Sequence, residues 1–297
     1  MPEARPVAEM RATQHDADLA GIDALELPWR PAPGPRLWAA AAWPKLLATL
    51  LLLGAWQAVV WIGWKPEYVL PSPIEVLGRV VTDLSGGALI TATAITMRRA
   101  LAGYAVAMVA GVALGLAVAR VTVLRVAVGA LITGLQTMPS IAWFPLAILL
   151  FQLSERAIMF VIVLGAAPAI ANGLIHGVDH IPPQLLRAGR VLGARGVALY
   201  RHVILPAALP GFVAGMKQGW AFAWRSLMAG ELIVIIAHRP SLGVRLQYAR
   251  EFSDAAGLLA AMLVILAIGI VVDTLLFGRV ERAIRRRWGL LSHTKPA

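Results

Sequence analysis

Long apolar runs organise this chain. Windows near the ~20 apolar residues that cross a bilayer fall at 45–64, 100–119, 126–150, 157–176, 208–236 and 257–277. The pattern predicts an all-α, polytopic membrane helix bundle of six transmembrane helices, or five if the first run lies beside the bundle. Two windows are interrupted. The 126–150 run holds Pro139 and Pro145, and the 208–236 run holds Lys217, Arg225 and Glu231. Polar connectors separate the runs. "PSPIEVLGRVVTDLSGG" at 71–87 reads as a short amphipathic helix with Ser72 as its cap and Pro73 in its first turn. The connector 177–207 is basic and carries no acid after Asp179.

Composition agrees with a membrane protein. The chain is 59% hydrophobic and 14% charged, against about 25% charged in soluble domains. Its formal charge of +11 is the excess that inner loops of membrane proteins collect, so no nucleic-acid partner is implied. With the N-terminus inside, thirteen bases flank the inner ends of the runs and eight the outer ends, which places both termini in the cytoplasm. Arg98 and Arg99 fit poorly, because they fall on the outer side. Residues 1–44 are rich in proline and read as a mobile tail, 45–288 as the membrane domain, and 289–297 as a C-terminal tail behind a Trp288 anchor.

Several chemistries find no foothold. There is no cysteine, and although His176 and His180 are four apart with Asp179 beside them, which makes a metal site conceivable, the ligand set is incomplete and a solvated helix end is the expectation. No phosphate-cradling G-x-x-x-x-G-K-[ST] loop exists, and "LSGG" at 84–87 has no such context. No G-x-S-x-G elbow supports hydrolysis. A secondary transporter working without an ATPase is the alternative, but no inverted repeat or set of midplane carboxylates stands out. Lys217 and Arg225 lie within about 80° on a helix and Arg225 and Glu231 about 240° apart. A basic face at Lys217 and Arg225 suits an anion, although Lys217 is expected to snorkel to the inner surface.

The unusual stretch is "RAGRVLGARGVALYRHVILPAALP" at 187–210. It resembles the EAA loop of ABC importer permeases, the inner-membrane components of binding-protein-dependent transport systems. That pattern runs E-A-A, a gap, L-G, a basic helix, then L-P. Here Arg187-Ala188-Gly189 stand for E-A-A, Leu192-Gly193-Ala194 follow, and "LYRHVILPAALPG" leads to Gly215-Met216-Lys217. The resemblance extends over 70–288 through "PSP" at 71–73, "LGL" at 114–116, "LQTMPSIAWFPLAILLF" at 135–151, "AWRSLMAGELI" at 223–233 and "VVDTLL" to "VERAIRRRW" at 271–288. Its details are most similar to the nitrate, sulfonate and taurine branch. Two departures stand out. Arg187 replaces the motif's glutamate and Gly189 its last alanine. Where the branch shows a W-F-G-x-G-E turn, this chain has Leu150-Phe151-Gln152-Leu153-Ser154-Glu155.

The resemblance implies a type I ABC importer permease in a bacterial inner membrane. It implies a second permease copy, two ATP-binding cassette subunits that hold the ATP, and an extracytoplasmic substrate-binding protein. The chain itself would catalyse nothing and need no cofactor. A coupling loop over about 177–207 would dock a 184–196 helix on the ATPase through Arg187, Ala188, Gly189, Leu192, Gly193, Ala194 and Arg195. Gly193 is expected to end that helix with positive φ. The translocation path for a small solute, an anion such as a sulfonate, taurine or nitrate, would involve Pro139, Pro145, Arg225 and Glu231.

Overall fold

The computed structural model describes residues 35–120 and 122–287. The expected tail lies outside the described residues up to residue 34, as do Trp288 and 289–297. Two compact units divide the chain, Met1–Ala58 and Val59–Ala297. Helix α1 (Pro35–Ile62) carries the described residues of the first. It begins within the stretch expected as tail, and its apolar portion, Leu46–Ile62, is shorter than a full span.

Among its described residues the second unit holds helices joined by turns, with no strand. Its elements are α2 (Pro73–Ser85), α3 (Ala88–Arg120), α4 (Thr122–Thr137), a 3₁₀ turn (Ser140–Trp143), α5 (Phe144–Phe151) and α6 (Glu155–Asp179). After them come α7 (Pro183–Val191), α8 (Gly196–Leu199), α9 (Leu205–Ile233), α10 (Leu242–Glu251), α11 (Ala255–Val271) and α12 (Gly278–Arg287). π-helical turns at Tyr200–Ile204 and Val272–Phe277 join α8 to α9 and α11 to α12.

Four helical stretches are long and apolar enough to cross a membrane: Ala88–Ala119, Glu155–Asp179, Gly196–Ile233 and Ala255–Ile284. A fifth is the pair α4–α5, bent by 105°. Of the six expected spans, or five with the first run beside the bundle, the described residues hold four or five, and the first run, Leu46–Ile62, is the one that falls short. Pro139 lies at the bend, where a proline and its restricted predecessor end a helix. Ser226 Oγ on α9 donates to Ser140 Oγ at 2.8 Å, fixing the broken backbone to its neighbour. Pro145 sits in the first turn of α5, where no backbone donor is needed. The predicted cap of α2 is present, with Ser72 Oγ accepting from the Glu75 N–H at 3.3 Å.

Helix α6 is the centre of the second unit, and small residues let its neighbours approach. Lipid supplies no hydrophobic drive between helices, so close backbone packing must hold them. Glycines at 173 and 177 on α6 meet glycines at 211 and 215 on α9. A Cβ on Gly215 would lie 2.5 Å from the Gly173 Cα, and one on Gly211 2.6 Å from the Gly177 Cα. On the other side α3 presents Gly111, where a Cβ would lie 2.7 Å from the Ala167 carbonyl oxygen. Ile158, Val161, Ile162 and Ile170 of α6 are fully buried in the resulting core. Tyr104 and Trp220 extend it edge to face at 5.3 Å, and the Tyr104 hydroxyl donates to the Met216 carbonyl at 2.8 Å.

Polar clusters mark the two ends of this bundle. Where α3 and α6 begin and α9 finishes, Arg99 binds Glu155 at 2.7 Å and Glu231 at 2.9 Å. Arg79, Asp83, Arg245 and Asp254 stitch α2, α10 and the start of α11 together. At the opposite end Arg125 pairs with Asp179 at 2.9 Å. Helices α7 and α8 follow directly from that end.

Candidate functional site

Pro182 and Pro183 start α7, since a proline in the first turn loses no helical hydrogen bond. Its end is a Schellman turn. The Gly193 N–H donates to the Arg190 carbonyl at 3.0 Å and the Ala194 N–H to the Gly189 carbonyl at 2.9 Å. Gly193 has φ +84°, the left-handed conformation this turn demands. The expectation for Gly193 therefore holds at the level of backbone geometry, and open space surrounds the position of a Cβ there. The observed helix, Pro183–Val191, is shorter than the predicted 184–196, because the chain turns at Gly193 and restarts at Gly196.

The surface of this hairpin is unusual for a polar connector. Val191, Leu192 and Val197 are 87%, 86% and 83% exposed. They form an apolar tip beside exposed Arg187, Ala188, Arg190 and Arg195, with Ala194 half-buried. Gly189 departs from its expected role. It is buried, and a Cβ there would lie 2.8 Å from Val203 Cγ2. It packs α7 against the π turn and offers nothing outward. Val203 also accounts for glycine replacing the motif's alanine, since it fills the space an alanine methyl needs. The π turn fits the proline that follows: the Leu205 N–H reaches back to the Tyr200 carbonyl, and Pro206 has no N–H to place.

The charges in α9 separate into three situations. Glu231 is fully buried. Besides Arg99, it accepts from Thr96 Oγ1 at 2.9 Å and from the Gly243 N–H at 3.0 Å. Arg239 adds a second cation, 3.2 Å from Glu155. Glu231 is therefore held inside a protein network joining α3, α6, α9 and α10, and this network explains the Arg98–Arg99 pair only at Arg99. Lys217, expected to snorkel, has a protein partner. It binds Asp273 on the second π turn at 3.3 Å, both side chains being half exposed at 39% and 52%. A cavity of about 330 Å³ lies against this pair. Arg225 is exposed, and its Nε donates to the Ala221 carbonyl at 3.1 Å.

Sequence reasoning missed the Gly-x-x-x-Gly spacing at 111–115, 173–177 and 211–215, which was legible. It also missed the partners of Arg99 and Lys217, which come from distant segments and leave no local signal.

Residues 107–286 match the model of the binding-protein-dependent transport system inner membrane component. The chain belongs to this family. It is a multi-pass transmembrane permease component of an ABC importer, not an ion-driven carrier. The permease is 29% identical to the aliphatic sulfonates transport permease SsuC of Escherichia coli (strain K12), over 83% of this chain and 92% of that one. It is 28% identical to the taurine transport system permease TauC of the same organism, over 80% and 85% respectively. A solved structure of the MetNI methionine ABC transporter, inward facing, superposes with a TM-score of 0.51 at 22% identity, covering 63% of this chain and 93% of that one. That likeness concerns the permease's fold.

Proposed function

We propose that this permease imports a small polar solute across a bacterial plasma membrane, driven by a separate ATPase that docks on α7. Two copies of the permease line the path, each docks one ATPase subunit that binds the ATP, and an extracytoplasmic binding protein delivers the solute. Both termini face the cytoplasm. The transport names of the sulfonate and taurine relatives support a small solute carrying a sulfonate or similar anionic group as the cargo class.

One observation carries the reading. The hairpin at 183–199 presents Val191, Leu192 and Val197 to the outside at an end rich in arginines. Apolar groups so exposed on a turn pinned by a Schellman motif suit a protein groove. The turn is joined through Gly189 and Val203 to α9, whose glycines lock it to α6. A push on α7 therefore moves two spans together.

Gly193→Val tests this. A β-branched residue at φ +84° is strained by about 1–2 kcal/mol and deforms the turn. In reconstituted vesicles, uptake and binding-protein-stimulated ATP hydrolysis should fall far more than the amount of inserted permease does. Wild-type levels of both would remove α7 as the coupling element.

A further inference from the structure

We propose that the slot between the first π turn and the end of α12 holds one anionic phospholipid. The proposal needs only that the chain spans a membrane, and it stands apart from the coupling reading. Arg201, Leu205, Pro206, Leu209 and Arg287 line this slot, a cavity of about 400 Å³. That volume lies in the range of small-ligand pockets.

The slot straddles the boundary between apolar and polar chain. Leu205 and Leu209 belong to the span Gly196–Ile233, and both are exposed. They are four apart on α9, so they share one face. Arg201 stands four residues before Leu205, on the π turn. Arg287 stands three residues past the span Ala255–Ile284. The cations therefore sit at the mouth, and the leucines line the side toward the membrane core. A phospholipid has the same order, a charged head followed by apolar chain.

The cations at this end of the bundle differ in what answers them. Arg125 pairs with Asp179 and Lys217 with Asp273. Arg282 folds its Nε onto the Gly278 carbonyl. Arg201 and Arg287 are exposed, and among the described residues no acid pairs with either. The carboxylates of Asp273 and Glu281 line the separate cavity beside Lys217. Among the described residues none lines the slot.

Loose attraction of headgroups to basic loops needs no cavity. Here two arginines from distant segments converge on one cavity with an apolar floor, the arrangement that basic pockets between membrane helices offer to acidic headgroups. Each guanidinium presents a fork that matches two phosphate oxygens. With its phosphodiester between Arg201 and Arg287, a lipid lays the start of a chain along Leu205 and Leu209. A zwitterionic lipid brings an ammonium that two cations repel. A lipid whose only charge is its phosphodiester brings none, so the slot selects the anionic class.

The test uses full-length permease, stripped of lipid in a nonionic detergent and titrated at constant ionic strength, with bound lipid counted by native mass spectrometry. Probes are dihexanoyl phosphatidylglycerol, dihexanoyl phosphatidylcholine, and glycerophosphoglycerol, which is the same phosphodiester without chains. Phosphatidylglycerol should bind saturably, one per chain, and the other two at least tenfold more weakly. Arg201→Gln and Arg287→Gln should each weaken it about tenfold. Both residues are exposed, so the lipid-free variants should unfold at the wild-type temperature. Arg279→Gln removes the same charge from an exposed position on α12 outside the slot, and should change the affinity less than twofold. Unchanged affinity in either slot variant overturns the proposal. Equal weakening in Arg279→Gln overturns it in favour of diffuse surface charge. Glycerophosphoglycerol binding as tightly as phosphatidylglycerol makes the slot a plain anion site. Loss of a copurifying ATPase subunit from the slot variants, with lipid affinity unchanged, gives the slot to that subunit instead.

Discussion

Arg99 and Glu231 are 132 residues apart in sequence and 2.9 Å apart in space. Neither is open to solvent, at 3% and 0% exposure. A buried pair is strongly destabilising when broken, because the surviving charge loses its compensation. Arg99→Ala should cost about 3–5 kcal/mol and lower the unfolding temperature in detergent. Arg99→Met combined with Glu231→Gln should recover part of that loss, because the amide oxygen still accepts from Thr96 and the Gly243 N–H and Glu155 keeps Arg239. Equal losses in the single and double variants would mean that an uncompensated Glu231 charge is not what Arg99→Ala costs.

The turn at Gln152 is strained. Its φ of 57° and ψ of −165° fall near a region that glycine alone populates freely, at a cost of about 1–3 kcal/mol for other residues. The W-F-G-x-G-E turn of the branch that the chain resembles would place glycine there. Gln152→Gly should therefore raise stability by about 1 kcal/mol after the entropy glycine loses on folding. A lower unfolding temperature would show that Gln152 makes a compensating contact.

Close helix packing predicts a contrast between glycines. Gly215→Ala pushes a methyl to within 2.5 Å of the Gly173 Cα, so α6 and α9 must separate and folded protein should drop sharply. Gly129→Ala on α4 has nothing within 4 Å of its new methyl and should be neutral or gain up to about 1 kcal/mol. Equal tolerance at both sites would deny the α6–α9 crossing.

Legibility in the sequence followed the range of the forces involved. The apolar runs, the Ser72 cap and the Gly193 turn depend on residues within a few positions of one another, and each was readable. The bend at Pro139 was signalled, but its angle depends on Ser140 finding Ser226, 86 residues away. Glu231 looked like a charge on a path because a span's charges are read without their partners. Arg99, Thr96 and the Gly243 N–H enclose it only once α3, α9 and α10 are packed. Gly189 looked like an outward small residue until Val203 was seen to cover it. The arginines at 187, 190 and 195 look alike in sequence, and the exposed Val191–Leu192 tip beside them is visible only once Gly193 turns the chain.

Seating of this tip in an ATPase subunit is tested by ATPase retention in a Leu192→Asp permease. Leu192 is 86% exposed, so the substitution removes no core contact and should leave the membrane-inserted fold intact. The variant, purified in amounts equal to wild type, should lose its ATPase subunit and the binding-protein-stimulated hydrolysis that goes with it. Stoichiometric retention of the ATPase with normal stimulation would contradict it.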